Sequence, residues 1–287
     1  MRGTGLPLVT PFDADESIDE SSLRELVSWV ADSGVDFVVP CGSNSEAALL
    51  TPEERTRVVE VVADETDLPV VAGTGHPGLG QTLDQTVAAA EAGADAALVV
   101  TPFFHKHDQA TLTTYYCDVA DESPIPVYCY SVPKYTGTVL EPETLGELAA
   151  HENIHGLKDS SGDLEALQRT VAATKDNDFS VLVGSGSIYA AGLEHGADGG
   201  VLAMANVVPR EASEIFDLHE SGDEAAAREA NQRLVELNRA VTARYGVPGL
   251  KAAMHHRNRP AGRTRRPFQP VGEDARAELA LLLDTAL

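Results

Sequence analysis

Short apolar runs alternate with helical segments from the N-terminus to about residue 203, and this alternation limits the possible folds more than any other feature. The runs are almost continuously apolar, which is typical of strands buried on both faces of a parallel sheet. Eight such runs separated by helices favour a closed (β/α)8 barrel over an open sheet. The predicted strands cover residues 6–10, 36–40, 70–73, 96–101, 126–130, 154–158, 180–183 and 199–202.

The remainder of the chain has a helical pattern. We therefore predict an α/β fold with a (β/α)8 TIM barrel over residues 1–204 and a C-terminal helical extension over residues 205–287, packed on the barrel. An open doubly wound sheet is the alternative, but no Gly-x-Gly-x-x-Gly turn follows the first predicted strand. Residues 257–267 of the extension are locally basic. We interpret them as a loop tied to acidic neighbours, with anion binding as the other interpretation.

The charge of the chain excludes several classes of partner. There are 45 acidic and 21 basic side chains, which gives a formal net charge of −24. Such a surface repels nucleic acid and anionic lipid. The acidic residues are spread over many helices, which predicts a folded protein adapted to a cytoplasm of high salt, where self-repulsion is screened. No apolar run is long enough to cross a bilayer, and the first residues lack a signal-peptide pattern, so we expect a cytoplasmic location.

The cysteines give no sign of a metal centre or a disulfide. Cys41, Cys117 and Cys129 are odd in number and do not have the spacing of metal ligands. We expect them to be reduced and buried, and we predict no metal site.

Lys158 is the strongest candidate for a catalytic residue. It ends the sixth predicted strand and is followed by turn residues. In a barrel of this kind the site lies at the C-terminal ends of the strands. A lysine in a dry pocket there is disfavoured as an ammonium ion, so a neutral amine becomes available as a nucleophile toward carbonyl carbon. A surface lysine at a strand end is the alternative interpretation.

Three other strand ends carry chemically useful residues. Gly42–Glu46 (Gly-Ser-Asn-Ser-Glu) follows the second predicted strand, Tyr130 ends the fifth, and Gly184 follows the seventh.

These segments together resemble the dihydrodipicolinate synthase/N-acetylneuraminate lyase family of Schiff-base-forming, pyruvate-handling aldolases. Gly42–Glu46 resembles the family's Gly-[Thr/Ser]-Thr-Gly-Glu motif for the pyruvate carboxylate. The segment from Tyr130 to Gly137 resembles Tyr-Asn-x-Pro-x-x-Thr-Gly, and residues 156–162 resemble the Gly-[Ile/Val]-Lys-[Asp/Glu]-x-[Ser/Thr]-Gly segment that bears the Schiff-base lysine. The interval from the tyrosine to the lysine (158 − 130 = 28) also matches. The resemblance covers essentially the whole chain.

The resemblance implies a role for each of these residues. Lys158 forms an imine with pyruvate, and Tyr130 shuttles protons. Ser43 and Asn44 bind the pyruvate carboxylate, and Gly184 allows backbone to approach the site closely. The implied partners are a small keto acid and an aldehyde, and no cofactor is expected beyond the covalent lysine–pyruvate imine. The resemblance also implies a homotetramer built as a dimer of dimers.

Three departures from the family pattern limit which reaction is expected. Asn44 and Ser45 replace the second threonine and the glycine of the carboxylate motif. Phe104 replaces a tyrosine that completes a proton relay across a subunit interface, so that relay is absent or differently built. Tyr135 occupies the position of the arginine that binds the aldehyde's carboxylate in dihydrodipicolinate synthases. A neutral phenol cannot make the bidentate contact that an arginine makes with a carboxylate, so a role in lysine biosynthesis becomes the less favoured assignment.

The expected reaction is therefore the cleavage of a 2-keto-3-deoxy sugar acid, 2-keto-3-deoxygluconate or its 6-phosphate, to pyruvate and a glyceraldehyde. Residues His105–His107 are candidates for contacts to a hydroxyl or phosphate, although a solvated loop is the simpler interpretation. The alternatives within the family are 4-hydroxy-tetrahydrodipicolinate synthase, N-acetylneuraminate lyase and a keto-deoxy-sugar-acid dehydratase. The alternatives outside the family are a non-catalytic barrel that binds a keto acid and a metal-dependent aldolase.

Overall fold

The computed structural model describes residues 1–287 and contains one eight-stranded sheet. All strand pairs are parallel. Strands pair in the order β2-β1-β8-β7-β6-β5-β4-β3, and a parallel bridge between Val38 and Val70 joins the two ends. The sheet is thus closed, and the predicted (β/α)8 TIM barrel is confirmed. The strands are β1 (Gly3–Leu6), β2 (Phe37–Val38), β3 (Val71–Gly73), β4 (Ala96–Val100), β5 (Val127–Ser131), β6 (Ile154–Asp159), β7 (Ser180–Val183) and β8 (Gly199–Val201).

The first strand lies earlier in the chain than the sequence predicted. We expected residues 6–10, whereas β1 ends at Leu6. Pro7 follows directly, and because proline has no N–H to donate, it does not continue a central strand. The seven other strands lie within two residues or fewer of their predicted positions at each end.

Helices cover the outside of the barrel. The start of the second one shows how the sequence sets a boundary: Thr51 accepts a hydrogen bond from the Glu54 N–H (3.2 Å), the Glu54 carboxylate accepts one from the Thr51 N–H, and Pro52 is the first helical residue. The helices are α1 (Glu20–Ala31), α2 (Pro52–Glu65), α3 (Leu79–Glu91), α4 (Gln109–Glu122), α5 (Pro133–Thr136), α6 (Pro142–Leu148), α7 (Leu164–Thr174), α8 (Tyr189–Glu194), α9 (Pro209–Glu220), α10 (Glu224–Arg239), α11 (Gly246–His256) and α12 (Glu273–Ala286).

The C-terminal helices divide into one that belongs to the barrel and three that extend it. Helix α9 packs on β1 and α8, so it completes the eighth βα unit. The division that the sequence suggested at residue 204 falls inside this unit, before its helix. Helix α10 packs on α9 and α12, and α11 packs on α12, which forms the extension. None of the helices combines the length and apolar character needed to cross a membrane.

The core consists of two layers. A cluster of 64 buried residues fills the space between the strands and the helices. A smaller cluster of 10, which includes Tyr128 and Tyr130 of β5, fills the interior of the barrel. Because successive strand residues point to opposite faces, Tyr130 and its register partner on β6, Lys158, both project inward.

The cysteines are free, as expected, and two of them are buried in the larger cluster. Burial raises the pKa of the Cys41 thiol to about 12, and the pKa of Cys129 rises for the same reason. Cys117 differs from the prediction, because it is only half-buried.

Candidate active site

Lys158 lies inside the barrel near its C-terminal end. Its side chain is buried, with 3% of the residue exposed, and its Nζ atom lies 4.3 Å from the centre of the Tyr130 ring. The amine forms no ion pair and no hydrogen bond within the chain. The hydroxyl group of Tyr130 likewise has no hydrogen-bond partner in the chain. An amine and a phenol therefore lie side by side without a partner within the chain, an arrangement suited to covalent catalysis.

A cavity of about 190 Å³ opens over this pair at the C-terminal ends of the strands. It contains all five residues that the sequence analysis selected: Ser43, Asn44, Tyr130, Lys158 and Gly184. The other lining residues are Val132, Lys134, Tyr135, Ser160, Ser185, Val201, Ala203, Asn238, Val241, Thr242, Ala243, Gly246 and Val247. Not one of the lining side chains is acidic.

The loop that follows β2 offers unused hydrogen-bond donors to this cavity. The N–H groups of Ser45, Glu46 and Ala47 are bonded to carbonyl groups of the same loop, and the Ser45 hydroxyl donates to the Leu8 carbonyl. The backbone N–H groups and the side chains of Ser43 and Asn44 have no partner within the chain. These two residues are therefore free to donate to a carboxylate.

Gly184 lies directly after β7, where the chain passes close to Asp159 and Ser160 at the end of β6. A Cβ atom there would collide with the Ser160 Oγ and the Asp159 carbonyl oxygen. The Gly184 N–H also donates to that carbonyl at 2.6 Å. A glycine is needed because the two backbone segments touch at the edge of the cavity.

Asp159, the residue after the inward-facing lysine, has a different role. Its carboxylate accepts hydrogen bonds from the N–H (3.0 Å) and the hydroxyl (2.6 Å) of Ser161. Burial raises the pKa of Asp159, although the bonds from Ser161 act in the opposite direction. Asp159 thereby shapes the turn that follows Lys158 and does not line the cavity.

The loop after β4 lies outside the cavity, in agreement with the simpler interpretation of it as a solvated loop. His105, Lys106 and His107 are absent from the lining of the cavity. Phe104 is 90% exposed, has a φ of 77°, and packs only edge-on against the His105 ring. No group of three or more His, Cys, Asp or Glu side chains is arranged to hold a metal ion.

The C-terminal extension contributes a part of the cavity that the sequence did not predict. Asn238 of α10 donates to the Ser187 hydroxyl (2.9 Å), and its Oδ1 atom is buried without a partner. Thr242 lies in the one-turn π-helix Ala240–Arg244 that follows α10, a kind of irregularity often found at functional sites. Neither residue has a local sequence signal, since each reaches the cavity only because α10 docks on the barrel.

Lys134 was also missed, although it lies within the segment that resembles the family pattern. It is the second lysine that lines the cavity. Its neighbour Tyr135 is 61% exposed. A lysine beside Tyr135, the residue for which the resemblance implied an arginine, could have been recognised from the sequence as a candidate site residue.

The interpretation of residues 257–267 as a loop tied to acidic neighbours is confirmed. Arg265 contacts the Glu54 carboxylate (2.7 Å), and Arg266 contacts that of Glu16 (2.5 Å). Lys251, just before this stretch, is ion-paired with Glu46 at 2.7 Å. These contacts attach the extension to acidic residues near the N-terminal part of the barrel.

Comparison with known proteins agrees with this geometry. The family model described as the dihydrodipicolinate synthetase family matches residues 1–286. A 4-hydroxy-tetrahydrodipicolinate synthase from Methanothrix thermoacetophila is 37% identical over 279 residues, which cover 97% of this chain and 95% of that protein. A DapA-like lyase from Halobacterium salinarum is 40% identical over 281 residues, with 97% and 92% covered.

A solved structure shows how far the likeness extends in three dimensions. The chloride-inhibited dihydrodipicolinate synthase from Acinetobacter baumannii, complexed with pyruvate, superposes with a TM-score of 0.94. It is 30% identical, and the match covers 99% of this chain and 98% of that one. Lys158, Tyr130 and the loop after β2 meet at one cavity, and the chain belongs to the dihydrodipicolinate synthetase family, a group of Schiff-base-forming, pyruvate-handling carbon–carbon lyases and synthases.

Proposed function

We propose that the protein is a class I aldolase that cleaves a 2-keto-3-deoxy sugar acid, 2-keto-3-deoxygluconate or its 6-phosphate, to pyruvate and a glyceraldehyde. The observation that supports this most directly is the buried, unpartnered Lys158 amine beside Tyr130 in a cavity without acidic residues. A covalent imine needs a free amine, and the keto acid it binds is an anion.

The reaction begins when the Lys158 amine attacks the keto carbon of the substrate. Tyr130 carries protons to and from the carbinolamine oxygen, which leaves as water to give a protonated imine. The C4 hydroxyl then loses its proton, the C3–C4 bond breaks, and its electron pair enters the imine to form an enamine and release the aldehyde. The enamine is protonated at C3, and water hydrolyses the imine to release pyruvate and restore the amine. Ser43 and Asn44 hold the substrate's carboxylate throughout.

The polar lining of the cavity is the reason for choosing a sugar acid. Ser160, Ser185, Asn238 and Thr242 offer hydroxyl and amide groups suited to a polyhydroxylated chain. Tyr135 stands where a dihydrodipicolinate synthase has the arginine for its semialdehyde's carboxylate, and a phenol does not make that bidentate contact.

A second candidate is 4-hydroxy-tetrahydrodipicolinate synthase, which condenses pyruvate with aspartate semialdehyde. The names of the similar proteins favour it over the sugar acid aldolase. It requires the same imine at Lys158 and differs only in the aldehyde that the enamine meets.

Trapping with borohydride tests the chemistry that both candidates share. Borohydride added with pyruvate should reduce the imine and leave a stable mass increase on the peptide that contains Lys158, with no adduct in K158R. Pyruvate release from the two sugar acids, compared with condensation of aspartate semialdehyde, then separates the candidates. A missing adduct in the unsubstituted protein would refute both.

The assembly and setting of the enzyme are part of the same proposal. We propose a homotetramer built as a dimer of dimers, and the exposed ring of Phe104 is an apolar group that burial at an interface would stabilise. No cofactor is needed, because the imine itself supplies the electron sink. The net charge of −24 suits a cytoplasm rich in salt, and unfolding experiments in increasing KCl should show a rising midpoint.

A further inference from the structure

The cavity is electrically unlike the rest of the chain. Acidic residues number 45 among the 287, yet none of the 18 lining residues is acidic. The chain has five lysines, and two of them, Lys134 and Lys158, line this one cavity. A positively charged opening on a strongly acidic surface attracts anions and concentrates them at the site.

Lys134 makes no contact within the chain that requires its positive charge. It forms no ion pair and no hydrogen bond, and its ammonium group lies only near the Tyr135 ring, whose centre is 5.4 Å from the Nζ atom. Its backbone is nevertheless fixed, since α5 is a single turn held by the Thr136 hydroxyl, which contacts the carbonyls of Val132 (3.2 Å) and Thr138 (3.1 Å). A flexible ammonium group on a rigid turn is well placed to bind a ligand at the mouth.

The other donors of the cavity are already assigned under the proposed function. Lys158 becomes the imine, so its nitrogen cannot also pair with a distant anion, and Ser43 and Asn44 hold the carboxylate next to the keto group. A substrate whose far end is neutral would leave Lys134 without a role.

We propose that Lys134 determines specificity by binding a second anionic group, a phosphate or a carboxylate, at the end of the substrate remote from the keto acid. This inference rests on the proposed function of the same cavity and goes beyond it, because it selects an anionic aldehyde half over a neutral one. Both anions accept charge-assisted hydrogen bonds from an ammonium group.

The test compares kcat/KM for matched substrates that differ in one charged group. The substrates are 2-keto-3-deoxygluconate 6-phosphate and 2-keto-3-deoxygluconate for cleavage, with aspartate semialdehyde for condensation, all at one ionic strength. In K134Q, kcat/KM for the anionic-tailed substrate should fall by about 10- to 100-fold, the worth of one charge-assisted hydrogen bond, while the neutral-tailed substrate changes by less than about 2-fold. K134R should keep most of the preference. The substrate whose kcat/KM falls in K134Q shows whether the anion that Lys134 binds is a phosphate or a carboxylate.

Two controls separate the outcomes. K106Q removes an exposed lysine from the loop after β4, which does not line the cavity, and should leave every substrate unchanged. The borohydride adduct of pyruvate on Lys158 should form equally well in K134Q. Equal losses for charged and neutral substrates, or no loss for either, would overturn the inference while an intact adduct leaves the proposed function standing. No adduct in the unsubstituted protein would overturn the proposed function instead.

Discussion

Two lysines are buried in this protein, and the surroundings of their amines are opposite. Lys158, inside the barrel, is 3% exposed and has only an aromatic ring beside its amine. Lys251 of α11 is 2% exposed, and its ammonium group contacts the Glu46 carboxylate (2.7 Å), the Thr10 carbonyl (2.7 Å) and the Arg263 carbonyl (2.6 Å). Its amine therefore forms one ion pair and two hydrogen bonds.

The difference shows that burial alone does not identify a catalytic lysine. Burial lowers the pKa of Lys251 to about 8, and the Glu46 carboxylate acts in the opposite direction. Even so, its three partners hold the amine in place, so it cannot attack a substrate. The same Glu46 also accepts the Arg265 N–H (2.9 Å), and its loop carries Ser43 and Asn44. Lys251 is therefore a structural link between the extension and the loop after β2, whereas the Lys158 amine has no partner within the chain.

The sharpest test of the comparison is to remove the amine of Lys158. K158M cannot form an imine, so pyruvate release should fall by at least about 1000-fold. Since Lys158 has no hydrogen bond or ion pair to lose, the free energy of unfolding should stay within about 1 kcal/mol of the original or increase. Steady-state assays and urea unfolding measure the two effects. Strong destabilisation without loss of activity would reverse the roles given to the two lysines.

The matching change at the other lysine should affect stability first. K251M leaves the buried Glu46 carboxylate unpaired, which should lower the free energy of unfolding by about 3–5 kcal/mol. K251M/E46Q removes the stranded charge and should recover part of that loss. R266A breaks a solvent-exposed ion pair of the same stretch and should cost less than about 1 kcal/mol. Equal losses in K251M and R266A would show that the buried link has no special importance.

Tyr130, the neighbour of Lys158, should matter for the rate of reaction and not for stability. Y130F keeps the ring beside Lys158 and removes a hydroxyl that has no partner in the chain. We expect kcat to fall by about 100- to 1000-fold through slower proton transfer, with unfolding unchanged within about 1 kcal/mol. Pre-steady-state trapping of the imine measures the first effect directly. An unchanged rate would assign the proton transfers to another group.

The smallest expected effect is a pH dependence that belongs to Lys251 alone. Its pKa is about 8 in the folded chain and 10.5 in an exposed lysine, so the unfolded chain binds more protons between these values. The free energy of unfolding should therefore rise as pH increases through this window, by at most about 3 kcal/mol from this group, and fall again as the pH returns toward 8. Urea unfolding of the original protein and of K251M/E46Q at several pH values isolates the rise. The same slope in both proteins would contradict the buried setting of Lys251.

The sequence by itself determined the barrel and the proximity of Lys158 and Tyr130. Strand length and apolar character fix the parallel sheet, and the strand ends of a barrel meet at one rim, so the order of residues along the chain was enough to place Lys158, Tyr130, Ser43, Asn44 and Gly184 together. The start of β1 was misplaced because Pro7 lies inside an apolar run that otherwise has the pattern of a strand.

Only the tertiary structure decided which distant residues complete the cavity and which nearby ones do not. Asn238 and Thr242 reach the cavity through the docking of α10 about eighty positions after Lys158, whereas His105–His107 lie at a strand end and still stay outside it. The contrast between Lys158 and Lys251 likewise depends on partners such as Thr10 and Glu46, which are more than 200 residues away from Lys251 in sequence. Local periodicity encodes which face of a strand or helix is buried, but not which remote groups meet there, because that depends on how whole elements pack.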